Sequence, residues 1–356
     1  MRQQPWLHSG PVDGALILAP PFVSIALVAW LEHRMGASAN VPLWAWVGFI
    51  LCVDVAHVYS TLFRTYLDPA ELKSRRALLI GTPLFCLAAG VALYSVDGLW
   101  FWRALAYLAV FHFARQQYGF LMLYARGDSP ATRRFLWLDR LMIYAATAYP
   151  ILYWHAHLPR AYHWFIEGDF VAGLPQWVAR AAFFGYCGIG ALYLAKEFWL
   201  VSKGERFNVP KQGVVLGTAL SWYVGIVALQ GDLAFTVTNV VSHGLPYMGL
   251  IWIHGHKRAR NASTWGFFFR PRMWPVFIGL LVLLGYLEEG LWDGLVWRDH
   301  TAFFIGFDRL PRIGNPTVLM WLVPLLALPQ FTHYVLDGYI WKLRDRKHSA
   351  WQKAIL

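Results

Sequence analysis

The chain has 356 residues, of which 58% are hydrophobic and only 14% charged, with a net charge of +11. A soluble domain carries about 25% charge, so this chain has too few charges to cover a water-facing surface, and its mean hydropathy of +0.41 agrees. In so apolar a chain the positive excess reads as loop charge that sets topology and meets anionic lipid, so no nucleic-acid partner is expected.

The apolar runs are continuous rather than alternating, which excludes a membrane β-barrel and predicts helices. A run of about 20 apolar residues crosses a hydrocarbon core of about 30 Å. Such runs fall at about 14–32, 43–63, 77–95, 98–124, 136–154, 174–200, 212–230, 233–253, 273–291 and 316–341. The opening Met1-Arg2-Gln3-Gln4-Pro5 is too short and polar for a cleaved signal, so the first run is expected to be retained as a span. The predicted fold is all-α: a polytopic transmembrane helix bundle of about ten spans, making one integral membrane domain over 1–356. The 20 Trp, 17 Tyr and 24 Phe suit two membrane–water interfaces. Cys52, Cys86 and Cys187 lie in apolar runs and form no disulfide framework.

Loop charge gives the direction. Arg64, Lys73, Arg75 and Arg76 follow the second run, and Arg126, Arg133 and Arg134 the fourth. Lys203, Arg206 and Lys211 follow the sixth, and Lys257, Arg258, Arg260, Arg270 and Arg272 the eighth. Lys342, Arg344, Arg346, Lys347 and Lys353 follow the last. The intervening loops hold only Arg34, Arg160, Arg298, Arg309 and Arg312. This alternation fits ten spans with both termini cytoplasmic, and the expected location is a bacterial inner membrane.

Ionisable side chains at bilayer depth are expensive and mark function by default. His57, His112, His243 and His333 lie well inside runs that point toward the basic side. They stand six, twelve, ten and eight residues before the ends of their runs. At about 1.5 Å per residue they share one layer, roughly 9–18 Å from the cytoplasmic ends. Each has a polar residue on its own helical face: Asp54 before His57, Gln116 after His112, Asn239 before His243 and Asp337 after His333. A metal-bound imidazole gives its other N–H to such a group, so the four histidines are expected metal ligands and the four polar residues their supports. An equally simple use of each histidine is as an interhelical hydrogen-bond donor.

Arg115 and Tyr118 follow His112 and are expected on the substrate side of such a site. Arg140 is expected to pair with Asp139 or to reach toward the interface. His155, His157 and His163 read as an interfacial belt, and His254 and His256 as the headgroup-facing end of the eighth run.

The stretches Asp54–His57, His112-Phe113, Ser242-His243 and His333–Asp337 resemble the motifs of the Brp/Blh family, the membrane carotenoid 15,15′-dioxygenases that make retinal. The resemblance is confined to these short stretches. It implies a four-histidine non-haem iron site in a membrane bundle. The sequence departs from the family pattern in four places: Asp54 precedes its histidine, Ala114 stands in an HFG-type motif, Gln117 stands where the family has an aspartate, and the Ser242-His243 motif lacks further closely spaced histidines.

The expected function is therefore a membrane-embedded non-haem iron oxygenase, taking O₂ and a hydrophobic lipid or isoprenoid substrate from the bilayer. Two other readings of the same residues are a haem b electron-transfer protein with paired axial histidines and a proton-coupled transporter or structural membrane subunit using His–Asp pairs.

Overall fold

The computed structural model describes residues 4–35, 41–258 and 264–341. Arg260 and the basic tail from 342 onward, both used in the charge alternation, lie outside the described residues. In chain order the long helices are α1 (Gly10–Arg34), α2 (Leu43–Arg64), α3 (Arg76–Val96), α4 (Gly98–Ala125), α5 (Leu136–Ala156), α6 (Gln176–Ser202), α7 (Val209–Trp222), α8 (Asp232–Arg258), α9 (Pro271–Trp297), α10 (Pro316–Leu326) and α11 (Leu328–Ile340). No strand occurs among the described residues.

Five of these helices, α1, α2, α3, α6 and α9, are long and apolar enough to cross a membrane. The pair α10/α11, bent by 43°, makes a sixth if read as one broken span. Pro324 inside α10 and Pro329 at the start of α11 flank the break, removing backbone N–H groups where the helix turns. Helices α4 and α8 are as long but carry more polar residues. They hold His112 and His243.

The chain divides into two compact units. The first comprises 1–41 and 113–246, within which α7 packs against α1 and α5, and α5 against α6. Its interior holds an ion network. Lys196 pairs with Asp139 and Glu197, and Lys211 reaches Asp128 at 3.0 Å, Asp139 at 3.5 Å and Glu197 at 3.6 Å. Asn208 caps α7 by accepting from Lys211 N at 3.2 Å. The same side chain donates to Asp128 at 2.8 Å and to the Tyr124 carbonyl at 3.0 Å. Asp139 thus serves two lysines, which corrects its expected pairing with Arg140. That arginine points outward.

The second unit comprises 42–112 and 247–356. Helix α9 packs on α2, α3 on α10 and α11, and α11 on α2. A Cβ at Gly90 of α3 would stand 2.9 Å from Cβ of Pro324, so that crossing is closer than any larger residue allows. Leu79, Leu336 and Ile340 form a buried cluster between α3 and α11. Arg64 bonds Glu71 at 2.9 Å and the Ile340 carbonyl at 3.2 Å, while Arg75 bonds Glu71 at 3.2 Å and the Tyr339 carbonyl at 3.0 Å. The last carbonyls of a helix lack intrahelical donors, and here two arginines from other elements supply them. That fixes the end of α11, and so the height of His333 two turns earlier.

Candidate metal centre

Each histidine is set by its own helix. His57 follows a π-helical stretch, Trp46–Val55, inside α2. Wider turns of this kind re-aim the side chains after them and recur at functional sites. His112 lies mid-way along α4, His243 three residues before Pro246 of α8, and His333 one turn past the α10/α11 bend. All four are buried, with 0–3% of their surface exposed.

The ring of His333 packs edge-on against His57, with centroids 5.0 Å apart, and against His112 at 4.6 Å. One ligand nitrogen from each of His57, His112, His243 and His333 lies within 4.8 Å of all the others. Nitrogens bound at about 2.0–2.1 Å stand roughly 3–4 Å apart around one ion. Closing 4.8 Å to that range takes side-chain movements of about an ångström or less. The four-histidine cluster can therefore hold a metal ion.

Carboxylates also stand near ring nitrogens of the cluster. His57 Nδ1 lies 3.7 Å from Asp54, and His112 Nδ1 lies 3.7 Å from Asp337. At that distance neither is yet a hydrogen bond, but where Nε2 is the ligand each carboxylate stands beside the nitrogen that a metal-bound imidazole turns outward. Asp337 thus serves His112 of α4, whereas its expected partner was His333 of its own helix.

His333 Nδ1 instead meets Thr61 Oγ1 at 2.7 Å. Tyr247 donates its hydroxyl to Asp337 at 2.5 Å and stands 2.9 Å from Thr61 Oγ1. Counting protons resolves the chain. With Asp337 ionised, the one Tyr247 proton goes to it, so the Thr61 proton must fill the Thr61–Tyr247 contact. Thr61 is then left to accept from Nδ1–H of His333. This tautomer leaves the Nε2 lone pair of His333 for a metal.

The remaining support surrounds His243. Phe113 stacks on its ring at 3.6 Å and 10°. Pro246 lacks an N–H, so the Ser242 carbonyl four residues earlier has no helical donor. Gln117 donates to it at 3.3 Å, and is itself held by the Thr218 hydroxyl at 3.1 Å. Gln116, expected beside His112, donates to the His243 carbonyl at 2.8 Å. Asn239, expected beside His243, turns back to the Phe235 carbonyl at 3.0 Å. Arg115 and Tyr118 face α5, where Arg115 donates to the Tyr144 hydroxyl at 2.7 Å.

Reading the sequence named Phe113 and Gln117 only as motif positions, and did not single out Thr61 or Tyr247 at all. A signal was present for the latter two, because Thr61 lies four residues after His57 and Tyr247 four after His243, the spacing of one helical face. Comparison with family models, with curated proteins and with solved structures finds no match to this chain.

Proposed function

We propose that this protein is an integral membrane metalloenzyme in which His57, His112, His243 and His333 hold a divalent iron. The observation that carries the reading is the convergence of four buried imidazole nitrogens to within 4.8 Å. Neutral imidazole ligands suit a divalent first-row ion, iron among them. When bound, a non-haem iron with an open coordination position supplies activation of O₂. Asp54, Asp337 and Thr61 orient the ligand rings, and the substrate is a lipid or isoprenoid drawn from the bilayer. The likeness of these histidine stretches to the Brp/Blh dioxygenases favours iron and an oxygenase.

Haem fits this packing poorly. A macrocycle held between two axial histidines separates their rings, whereas here His333 packs directly against both His57 and His112.

The proposed topology is ten spans with both termini in the cytoplasm of a bacterial inner membrane. It is supported by the order of the long helices and by the alternation of basic loops.

Metal analysis tests the centre. Protein expressed with added iron should carry about one equivalent, since a site of this kind binds metal as part of its folded state. The His57→Ala and His333→Ala variants should each lose it. Trace metal in the wild-type protein, unchanged when all four histidines are replaced, would sink the proposal.

A further inference from the structure

Outside the histidine cluster, α4 and α5 carry an unusual group on their outward surface. Trp137, Arg140, Leu141 and Tyr144 recur at the spacing of one helical face. Trp137 and Leu141 are 58% and 41% exposed, and Arg140 is also exposed. From α4 the exposed Arg115 donates to the Tyr144 hydroxyl at 2.7 Å and lies 4.7 Å from the centre of the Tyr118 ring. Arg140 lies 6.0 Å from the centre of that same ring. Tyr118 stacks on Tyr144 at 5.5 Å and 19°. Neither arginine forms an ion pair among the described residues, because the neighbouring Asp139 is taken by Lys196 and Lys211.

Two guanidinium groups on an apolar, lipid-facing surface are costly unless an anion meets them. Their depth narrows the choice. Arg115 lies about 15 Å from the end of α4 and Arg140 about 6 Å from the start of α5 at 1.5 Å per residue. The loop that joins those ends carries Arg126, Arg133 and Arg134. In a bilayer about 40–45 Å thick with a core of about 30 Å, Arg140 stands where headgroups give way to acyl chains, and Arg115, rooted deeper, carries its guanidinium to the ring of Tyr118, about one turn nearer the loop. The guanidinium fork matches phosphate oxygens, and amphipathic tyrosines belong at that level.

We infer that Arg115, Arg140, Tyr118 and Tyr144 form a binding site for one anionic glycerophospholipid of the leaflet that faces the basic loops. Its phosphodiester meets the two guanidinium groups, its ester region meets the tyrosine hydroxyls, Trp137 stands at the headgroup level, and an acyl chain passes Leu141 toward the bilayer centre. Arg115 and Tyr118, expected beside a substrate, are thereby assigned to a lipid headgroup. The site rests on the membrane reading but not on the metal, so its outcome is separable from that of the proposed activity.

Native mass spectrometry of the purified full-length protein tests it, with phosphatidylglycerol, phosphatidylcholine and oleate added in turn. The wild-type protein should retain one phosphatidylglycerol per chain about ten-fold more tightly than phosphatidylcholine, a difference of about 1.4 kcal/mol. The Arg115→Gln/Arg140→Gln variant should lose that preference while keeping its helicity and metal content. Tyr144→Phe should weaken it. Equal retention of the two phospholipids by the wild type overturns the inference, as does a preference that survives the double glutamine variant. Tighter retention of oleate than of phosphatidylglycerol overturns it in favour of a carboxylate. Should the glutamine pair fail to fold, the Arg115→Lys/Arg140→Lys pair decides: a several-fold weaker preference supports the fork, and an unchanged one overturns it.

Discussion

Thr61 Oγ1 lies 2.7 Å from Nδ1 of His333, and through Tyr247 that contact determines which nitrogen of the imidazole is left for a metal. A hydroxyl four residues along the same helix from His57 thus sets the tautomer of a histidine on α11. The Thr61→Val variant keeps the shape and removes the acceptor. Metal affinity, measured by competition with a chelator, should fall by about 10–100-fold, the usual effect of losing such a support. Thr61→Ser should bind nearly as the wild type does. Equal affinity in the valine variant would show that this contact does not tune the centre.

Tyr247 and Asp337 should act as one unit. Tyr247 donates to Asp337, which stands beside His112, so Tyr247→Phe leaves the carboxylate free to swing. Both Tyr247→Phe and Asp337→Asn should weaken metal retention. Their double variant should depart from the sum of the single effects by about 0.5 kcal/mol or more, the mark of direct coupling. Strict additivity would separate the two residues.

Gln117 is predicted to be structural rather than chemical. It fills the carbonyl of Ser242 that Pro246 leaves without a donor, and Gln117→Leu should lower stability by about 1–3 kcal/mol, the penalty of a bare buried polar group. Pro246→Ala restores an N–H at that place and should recover part of the loss in the Gln117→Leu background. Thermal unfolding in detergent measures both. A Gln117→Leu protein as stable as the wild type would dismiss the account.

The lysine network of the first unit makes a contrasting forecast for two basic residues, Lys211 and Arg140, on different helices. Lys211→Met takes the cation from Asp128 and leaves Asp139 to Lys196 alone in a buried place, and should cost about 3–5 kcal/mol. Arg140→Gln, on the exposed face of α5, should change detergent stability by no more than about 0.5 kcal/mol. Similar losses in the two variants would restore the Arg140–Asp139 pair that the sequence suggests.

The amino-acid sequence alone determined the helical class and the expectation that four histidines share one layer. Both follow from periodicity along one chain: apolar runs dictate helices, and residue count times rise places His57, His112, His243 and His333 in one layer. Their own-helix neighbours were legible for the same reason, and Asp54 does stand beside His57. What passes between helices was not legible. Helical spacing places Asp337 beside His333, yet it stands beside His112; it places Gln116 beside His112, yet it bonds the His243 carbonyl. Asp139 likewise takes two lysines from other helices instead of its neighbour Arg140. A polar side chain in an apolar interior takes the partner that satisfies it best, and that partner is set by how helices pack. Whether four histidines at one depth form one site is the same kind of question, and only the tertiary structure answered it, at 4.8 Å.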